Sequence, residues 1–179
     1  LLATQSIANL YYQAANAKGP DEFDDLAKSM DWHKKVVALD PKNKESYYSL
    51  GLIPWQEFYV ADRDARNSLG MKLDDKMPLK ADTKGKTLKA DLKAKYWDAL
   101  NEGIENEKKA LAIDPNYENA MSYLQLLIRY RADLEDTQAA YDADIKEANV
   151  WMDKALEAQK AAAAKKAAED PNGGGTPAQ

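Results

Sequence analysis

KKALAIDPNYENAMSYLQLL, residues 108–127, holds the end of one helix and the start of another, with only Pro115, Asn116 and Tyr117 between them. A matching sentence, KKVVALDPKNKESYYSLGLI, stands at residues 34–53. Proline disfavours the α conformation in the residue before it, so the first helix of each sentence ends near Asp40 or Asp114. Proline's fixed φ then suits a turn or the first residue of a new helix. A strong stop followed by an immediate restart makes an αα-hairpin.

The match extends to a third segment. DWHKKVVALDP at 31–41, ENEKKALAIDP at 105–115 and VWMDKALEAQK at 150–160 align without gaps. Lys35, Lys109 and Lys154 correspond, then Val36, Ala110 and Ala155, then Val37, Leu111 and Leu156. Downstream of the proline, Tyr47 aligns with Met121, Leu50 with Leu124 and Gly51 with Gln125. The third segment lacks Asp-Pro and runs on as helix, as a terminal unit would. Helices are expected over about 3–17, 21–39, 43–68, 90–113, 117–134 and 137–168, with Asp21 and Thr137 as N-caps. Leu50, Leu111, Leu124 and Leu156 are expected at buried helix contacts, and Gly51 where two helices approach closely.

Tyr47, Leu50 and Gly51 in a first helix, with Ala110-Leu111 and Asp114-Pro115 closing a second, resemble the tetratricopeptide repeat family. The resemblance covers about residues 3–160 and is specific to fold rather than to activity. It implies an all-α, short α-solenoid of about three helical hairpins. Pro41 and Pro115 stand 74 residues apart, well beyond the 34 residues of one repeat. The surplus falls after the helix that begins near residue 43. That helix can run past its usual end with a kink at Pro54. GMKLDDKMPLKADTKGKTL, with Gly70, Pro78 and Gly85, then reads as a long inter-helix loop over 70–88. Residues 1–160 form the repeat domain on this reading. Residues 161–179 form the end of an extended Ala/Lys-rich helix and a Gly-rich tail. YYSLGLIPWQEFYVADRDARNSLGMK and ENAMSYLQLLIRYRADLEDT also resemble a group of exported bacterial tetratricopeptide proteins with a similar insertion.

Composition narrows the remaining choices. The 179 residues are 45% hydrophobic and 31% charged with a net charge of −5, and they contain no Cys. Lys and Arg are spread along the chain rather than gathered in a stripe, so a nucleic-acid partner is not expected. Disulfides, thiolate metal sites and a Cys nucleophile are excluded. No apolar run approaches the roughly 20 residues that span a bilayer. The chain opens at Leu1 without an initiator Met, as expected of leader removal on export or of a sequence that starts internally. The resemblance favours a periplasmic or otherwise exported protein; the alternative is cytoplasmic.

Catalytic chemistry has little support in these residues. His33 is the single histidine, and a lone histidine without convergent partners is a structural residue. Asp21, Glu22, Asp24 and Asp25 gather at a helix start, where carboxylates favour the helix dipole. Asp62, Asp64, Asp74 and Asp75 read as solvated and lack calcium-loop spacing. There is no phosphate-binding glycine loop, G-x-S-x-G or H-E-x-x-H. The expectation is a non-enzyme with no cofactor and no metal. Trp32 and Trp151 recur at one position of the second helices and are expected to pack between hairpins.

In the tetratricopeptide family one face of each first helix lines the concave side of the superhelix. Carrying those positions over marks Tyr12, Tyr48, Leu52, Trp55, Gln56, Ser122, Leu126, Arg129 and Tyr130. Trp, Tyr and Arg are the residue types of binding hot spots. The alternative is that the insertion or the last helix fills this groove in cis. The Lys, Arg and Asn clamp with which chaperone-type members hold a peptide carboxylate is replaced here by Tyr48, Leu52, Ser122 and Leu126. The loop lysines Lys72, Lys76, Lys80, Lys84 and Lys86, which could meet an acidic surface or simply keep the loop solvated, and the tail after Ala161 are further candidate contacts. The reading is a non-catalytic protein–protein scaffold, a peripheral accessory subunit of a larger complex such as a membrane-bound respiratory or photosynthetic assembly. The alternative is a free periplasmic module that binds a peptide or ligand.

Overall fold

Helices α1 (Leu2–Lys18), α2 (Phe23–Leu39), α3 (Lys44–Leu69), α4 (Thr83–Ile113), α5 (Glu118–Asp133) and α6 (Gln138–Glu169) follow one another along the chain. The computed structural model describes residues 1–18, 23–72, 75, 77 and 83–169, and among the described residues there is no strand. The fold is all-α and solenoid-like. Helices α1 and α2, α3 and α4, and α5 and α6 pair as three hairpins. Each hairpin packs on the next through α2 against α3 and α4 against α5, and α3 also touches α5. No helix among the described residues is long and apolar enough to cross a membrane.

The two Asp-Pro turns close with the same bonds. The Asp40 N–H donates to the Val36 carbonyl at 2.8 Å, and the Asp114 N–H to the Ala110 carbonyl at 2.9 Å. The carbonyls of Asp40 and Asp114 accept from Asn43 and Tyr117 at 3.1 Å in each turn. Asp40 Oδ1 accepts from the Lys42 N–H at 3.1 Å, and Asp114 Oδ1 from the Asn116 N–H at 3.0 Å. Each aspartate thus completes an Asx turn across a proline that has no N–H to give. The Lys44 Nζ, 2.5 Å from Asp114 Oδ2, ties one turn to the other.

Caps set the other helix ends. Asn43 Oδ1 accepts from the Ser46 N–H at 2.9 Å, and Thr137 Oγ1 from the Ala140 N–H at 3.2 Å. Asp21 lies outside the described residues. Helix α3 runs through Pro54 and stops at Gly70, whose φ of 69° is left-handed. The Gly70 N–H donates to the Asn67 carbonyl at 3.1 Å and the Met71 N–H to the Arg66 carbonyl at 2.9 Å, a Schellman close.

Three expectations need correcting: Asp62, read as solvated, is buried against Arg66, and the other two concern α4 and Leu156. Helix α4 begins at Thr83, not near residue 90, so the end of the expected 70–88 loop is helical. Its residues from Lys84 to Ala90 include Lys, Leu and Ala, good helix formers, and one glycine costs only about 1 kcal/mol. Leu156 is exposed at 46%, whereas Leu50, Leu111 and Leu124 are buried as expected. Helix α6 has 32 residues against the 16 of α5, so its later turns outrun the helix it packs against. The neighbouring Ala155 faces the core in place of Leu156.

The main core gathers Phe58, Leu100, Ile104, Leu124, Leu127 and Ile128 between α3, α4 and α5. A smaller cluster of Ala15, Leu26 and Ile53 joins α1, α2 and α3. Trp32 and Trp151 are half-buried rather than enclosed, and Trp151 packs against the main core. Each carries a lysine over its ring from the next turn, Lys35 at 3.9 Å and Lys154 at 4.1 Å. The first and third segments therefore share a cation–π pair, as the first and second share a turn.

Candidate binding face

Along α3 the positions 48, 52, 55, 56 and 59 fall on one stripe of the helix. Tyr48, Trp55 and Tyr59 supply its rings. Helix α5 and the turn before it bring Tyr117 and Tyr123 against them. The Tyr48 ring centre lies 5.5 Å from that of Tyr117 and 5.6 Å from that of Tyr123. Trp55 meets Tyr123 edge-on at 5.0 Å and stacks on Tyr59 at 5.6 Å with a 17° interplanar angle. Tyr12 stands at the same edge on α1, its carbonyl accepting from Asn16 Nδ2 at 3.0 Å. Gln56 fastens the same edge, its Nε2 donating to Asn16 Oδ1 of α1 at 3.1 Å. All these side chains are half-buried, so an aromatic face built from three helices meets solvent.

The face is aromatic but uncharged. Burial holds the Tyr48 phenol far above its ordinary value, with Tyr123 and Glu107 adding to the effect. Burial also pushes Tyr117 up to about 12 and raises Tyr123. These phenols stay neutral near pH 7 and keep both a donor and an acceptor. Lys44, bonded to Asp114, sits 4.8 Å over the Tyr117 ring, so one ring of the face already holds a lysine.

Of the residues marked from the sequence, Tyr12, Tyr48, Trp55 and Gln56 come together here. Leu52 lies on the same stripe of α3 but is buried. Ser122 and Leu126 are half-buried on α5. Arg129 is spent on helix packing, its Nε donating to Gln125 Oε1 at 2.9 Å and its Nη2 to Asn149 Oδ1 of α6 at 2.7 Å. Tyr130 belongs to the core, with its ring 4.8 Å from Phe58. Lys72 is exposed beyond the end of α3. Lys76, Lys80 and the tail from residue 170 lie outside the described residues, as do Glu22, Asp74 and Pro78. Lys84 and Lys86 stand in α4, not in a loop. Between Ala161 and Lys165 the helix is exposed throughout.

Sequence reasoning missed Tyr59, Tyr117, Tyr123 and Glu107. Tyr59 could have been found one turn beyond Trp55. Glu107 gives no such signal, because it reads as one more charge in ENEKKALAIDP. It is fully buried, and neither carboxylate oxygen has a hydrogen-bond partner among the described residues. Its side chain lies against Gly51, where a Cβ would stand 2.3 Å from Oε1. From there its carboxyl, once ionised, would bear on Tyr48, Tyr117 and Tyr123. Burial alone raises its carboxyl well above the ordinary range. Trp55 Nε1 is likewise buried without a partner among the described residues. No three His, Asp or Glu side chains converge to hold a metal among the described residues.

Compared with the known protein-family models and with the curated proteins, the chain matches none.

Proposed function

We propose that this chain is a non-catalytic docking scaffold of the tetratricopeptide kind, holding a segment of a partner protein on the face of Tyr12, Tyr48, Trp55, Tyr117 and Tyr123. One observation carries the reading. Five rings from α1, α3, α5 and the turn before α5 form a half-exposed surface on a support fixed by buried helix contacts. Aromatic side chains of this kind offer large contact area at low entropy cost, as binding hot spots do. The sharper form is an exported, peripheral subunit of a larger assembly, and the resemblance of the sequence to exported tetratricopeptide proteins with a similar insertion supports it.

Native co-purification tests the proposal. The full chain is compared with Tyr48→Ala/Trp55→Ala and with a chain cut after Lys160. Tyr130 is left alone because its ring packs on Phe58. The double variant is expected to keep its helical content and lose its partner. Retention of the same partner at the same salt concentration by both altered chains would remove this face from consideration.

A further inference from the structure

We infer that the aromatic face contains a receptor for one lysine side chain of the docked partner, with Glu107 accepting the ammonium group behind Tyr48, Tyr117 and Tyr123. The inference rests on the docking role proposed above and gives that face its chemical preference.

The repeat supplies the first argument. In the gapless alignment of 31–41 with 105–115, Glu107 takes the place of His33. Both are buried polar groups on the second helix of a hairpin. His33 is satisfied, with Nδ1 3.1 Å from Ser46 Oγ. The residue equivalent to Ser46 is Ala120, which has no polar side chain to offer. The fold therefore answers this buried polar position once and leaves it open the second time. A buried carboxyl without a partner costs several kcal/mol, so it is kept for a role or lost.

What would satisfy Glu107 follows from its surroundings. Gly51 removes the side chain that would otherwise lie between α3 and Glu107. Gly51, against which Glu107 lies, stands one turn from both Tyr48 and Trp55 on α3, and burial keeps the phenols of Tyr48, Tyr117 and Tyr123 neutral. A buried carboxylate beneath an aromatic face suits a cation, which gains an ion pair there and cation–π attraction at the rings. Lys44 over Tyr117 shows that the same ring accepts a lysine ammonium. Because Glu107 is fully enclosed, a cation reaches it only on a narrow stem. An unbranched four-carbon stem with a compact head meets that demand better than a planar guanidinium or a quaternary ammonium. When the ammonium arrives, the neutral carboxyl gives up its proton to solvent and becomes the carboxylate of the pair.

Titration of the full chain with n-butylammonium, read by the Trp55 indole and tyrosine ring resonances, tests this. Saturable shifts are expected with butylammonium and at least tenfold weaker ones with the neutral 1-pentanol. Glu107→Gln should weaken butylammonium at least tenfold while its melting temperature stays at or above that of the parent. Calorimetry in buffers of different ionisation enthalpy should show a proton released on binding. Equal response to pentanol, an unchanged Glu107→Gln affinity, or stronger binding of tetramethylammonium would each overturn the inference. Should Glu107→Gln keep the protein partner at full affinity while Tyr48→Ala/Trp55→Ala loses it, the lysine receptor fails and the docking face stands.

Discussion

His33 and Glu107 occupy one repeat position and respond to pH in opposite senses. Burial lowers the His33 imidazole to about 4 from 6.5. The unfolded chain then binds the extra proton, so its stability contribution is present above about 6.5 and lost as pH falls toward 4, by at most about 3 kcal/mol. Glu107 is the reverse. Its folded carboxyl is raised above the ordinary 4.5, so its contribution is full below that value and declines as pH rises through the raised one. Denaturation across pH 4 to 8 should show both slopes, with His33→Gln removing the acid one and Glu107→Gln the alkaline one. Gly51 belongs to the same site. A Cβ there would stand 2.3 Å from Glu107 Oε1 and 2.6 Å from its Cγ, so the buried Glu107 side chain would have to shift. Gly51→Ala should cost about 1–3 kcal/mol. Pairing it with Glu107→Ala should recover part of that loss, a coupling that a double-mutant cycle measures directly.

Among the elements, register and partnership separate Leu124 from Leu156. Leu124 is fully buried between helices, and Leu124→Ala should cost about 2–5 kcal/mol. Leu156 lies nearly half exposed where α6 has outrun α5, so Leu156→Ala should stay within about 0.5 kcal/mol. Equal melting losses for the two would contradict the end of the array. The pair also shows what the sequence makes legible. Asp40-Pro41 and Asp114-Pro115 act within a few residues of themselves, so the hairpins and the helix pairing can be read directly. The repeat register places Leu156 beside Leu111, but it carries no information on whether a further helix stands opposite. Gly85 misleads in the other direction, since one glycine among strong helix formers leaves α4 intact. At the binding face, ring stripes on α3 are readable from spacing, while the convergence of Tyr117 and Tyr123 on Tyr48 depends on helix packing. Arg129 illustrates the limit: its residue type suits a hot spot, yet Asn149 and Gln125 engage its guanidinium.

Across the whole molecule, one buried cation holds the insertion to the repeat array. Arg66 is 1% exposed near the end of α3. Its Nε donates to Asp62 Oδ2 at 2.7 Å and its Nη2 to Asp133 Oδ2 at the end of α5 at 2.6 Å. Its Nη1 donates to the Asp75 carbonyl. Asp133 Oδ1 in turn accepts from the Met77 N–H at 3.4 Å, and the Met77 side chain is buried in the main core. The guanidinium thus joins α3, the Asp75 carbonyl and the last turn of α5. Lysine could not reproduce three directions from one ammonium in this geometry. Burial already raises Asp62 and Asp133 despite Arg66 beside them. Arg66→Met leaves the buried Asp62 and the partly buried Asp133 without this counter-charge, and such a loss costs about 3–5 kcal/mol at neutral pH. Without Arg66 both carboxyls rise further above their unfolded values, so the variant should regain stability as pH falls and they protonate in place. Urea denaturation at pH 7 and pH 4.5 reads this directly: the gap between parent and Arg66→Met should narrow by at least half in acid. A gap that stays constant would mean that Arg66 acts through packing of its stem and not through its charge. Limited proteolysis gives the structural counterpart, because the variant releases the Asp75 carbonyl. Cleavage at Lys72, Asp75 and Met77 should quicken in Arg66→Met under native conditions, while the α1–α2 hairpin, which shares no bond with this network among the described residues, keeps its protection.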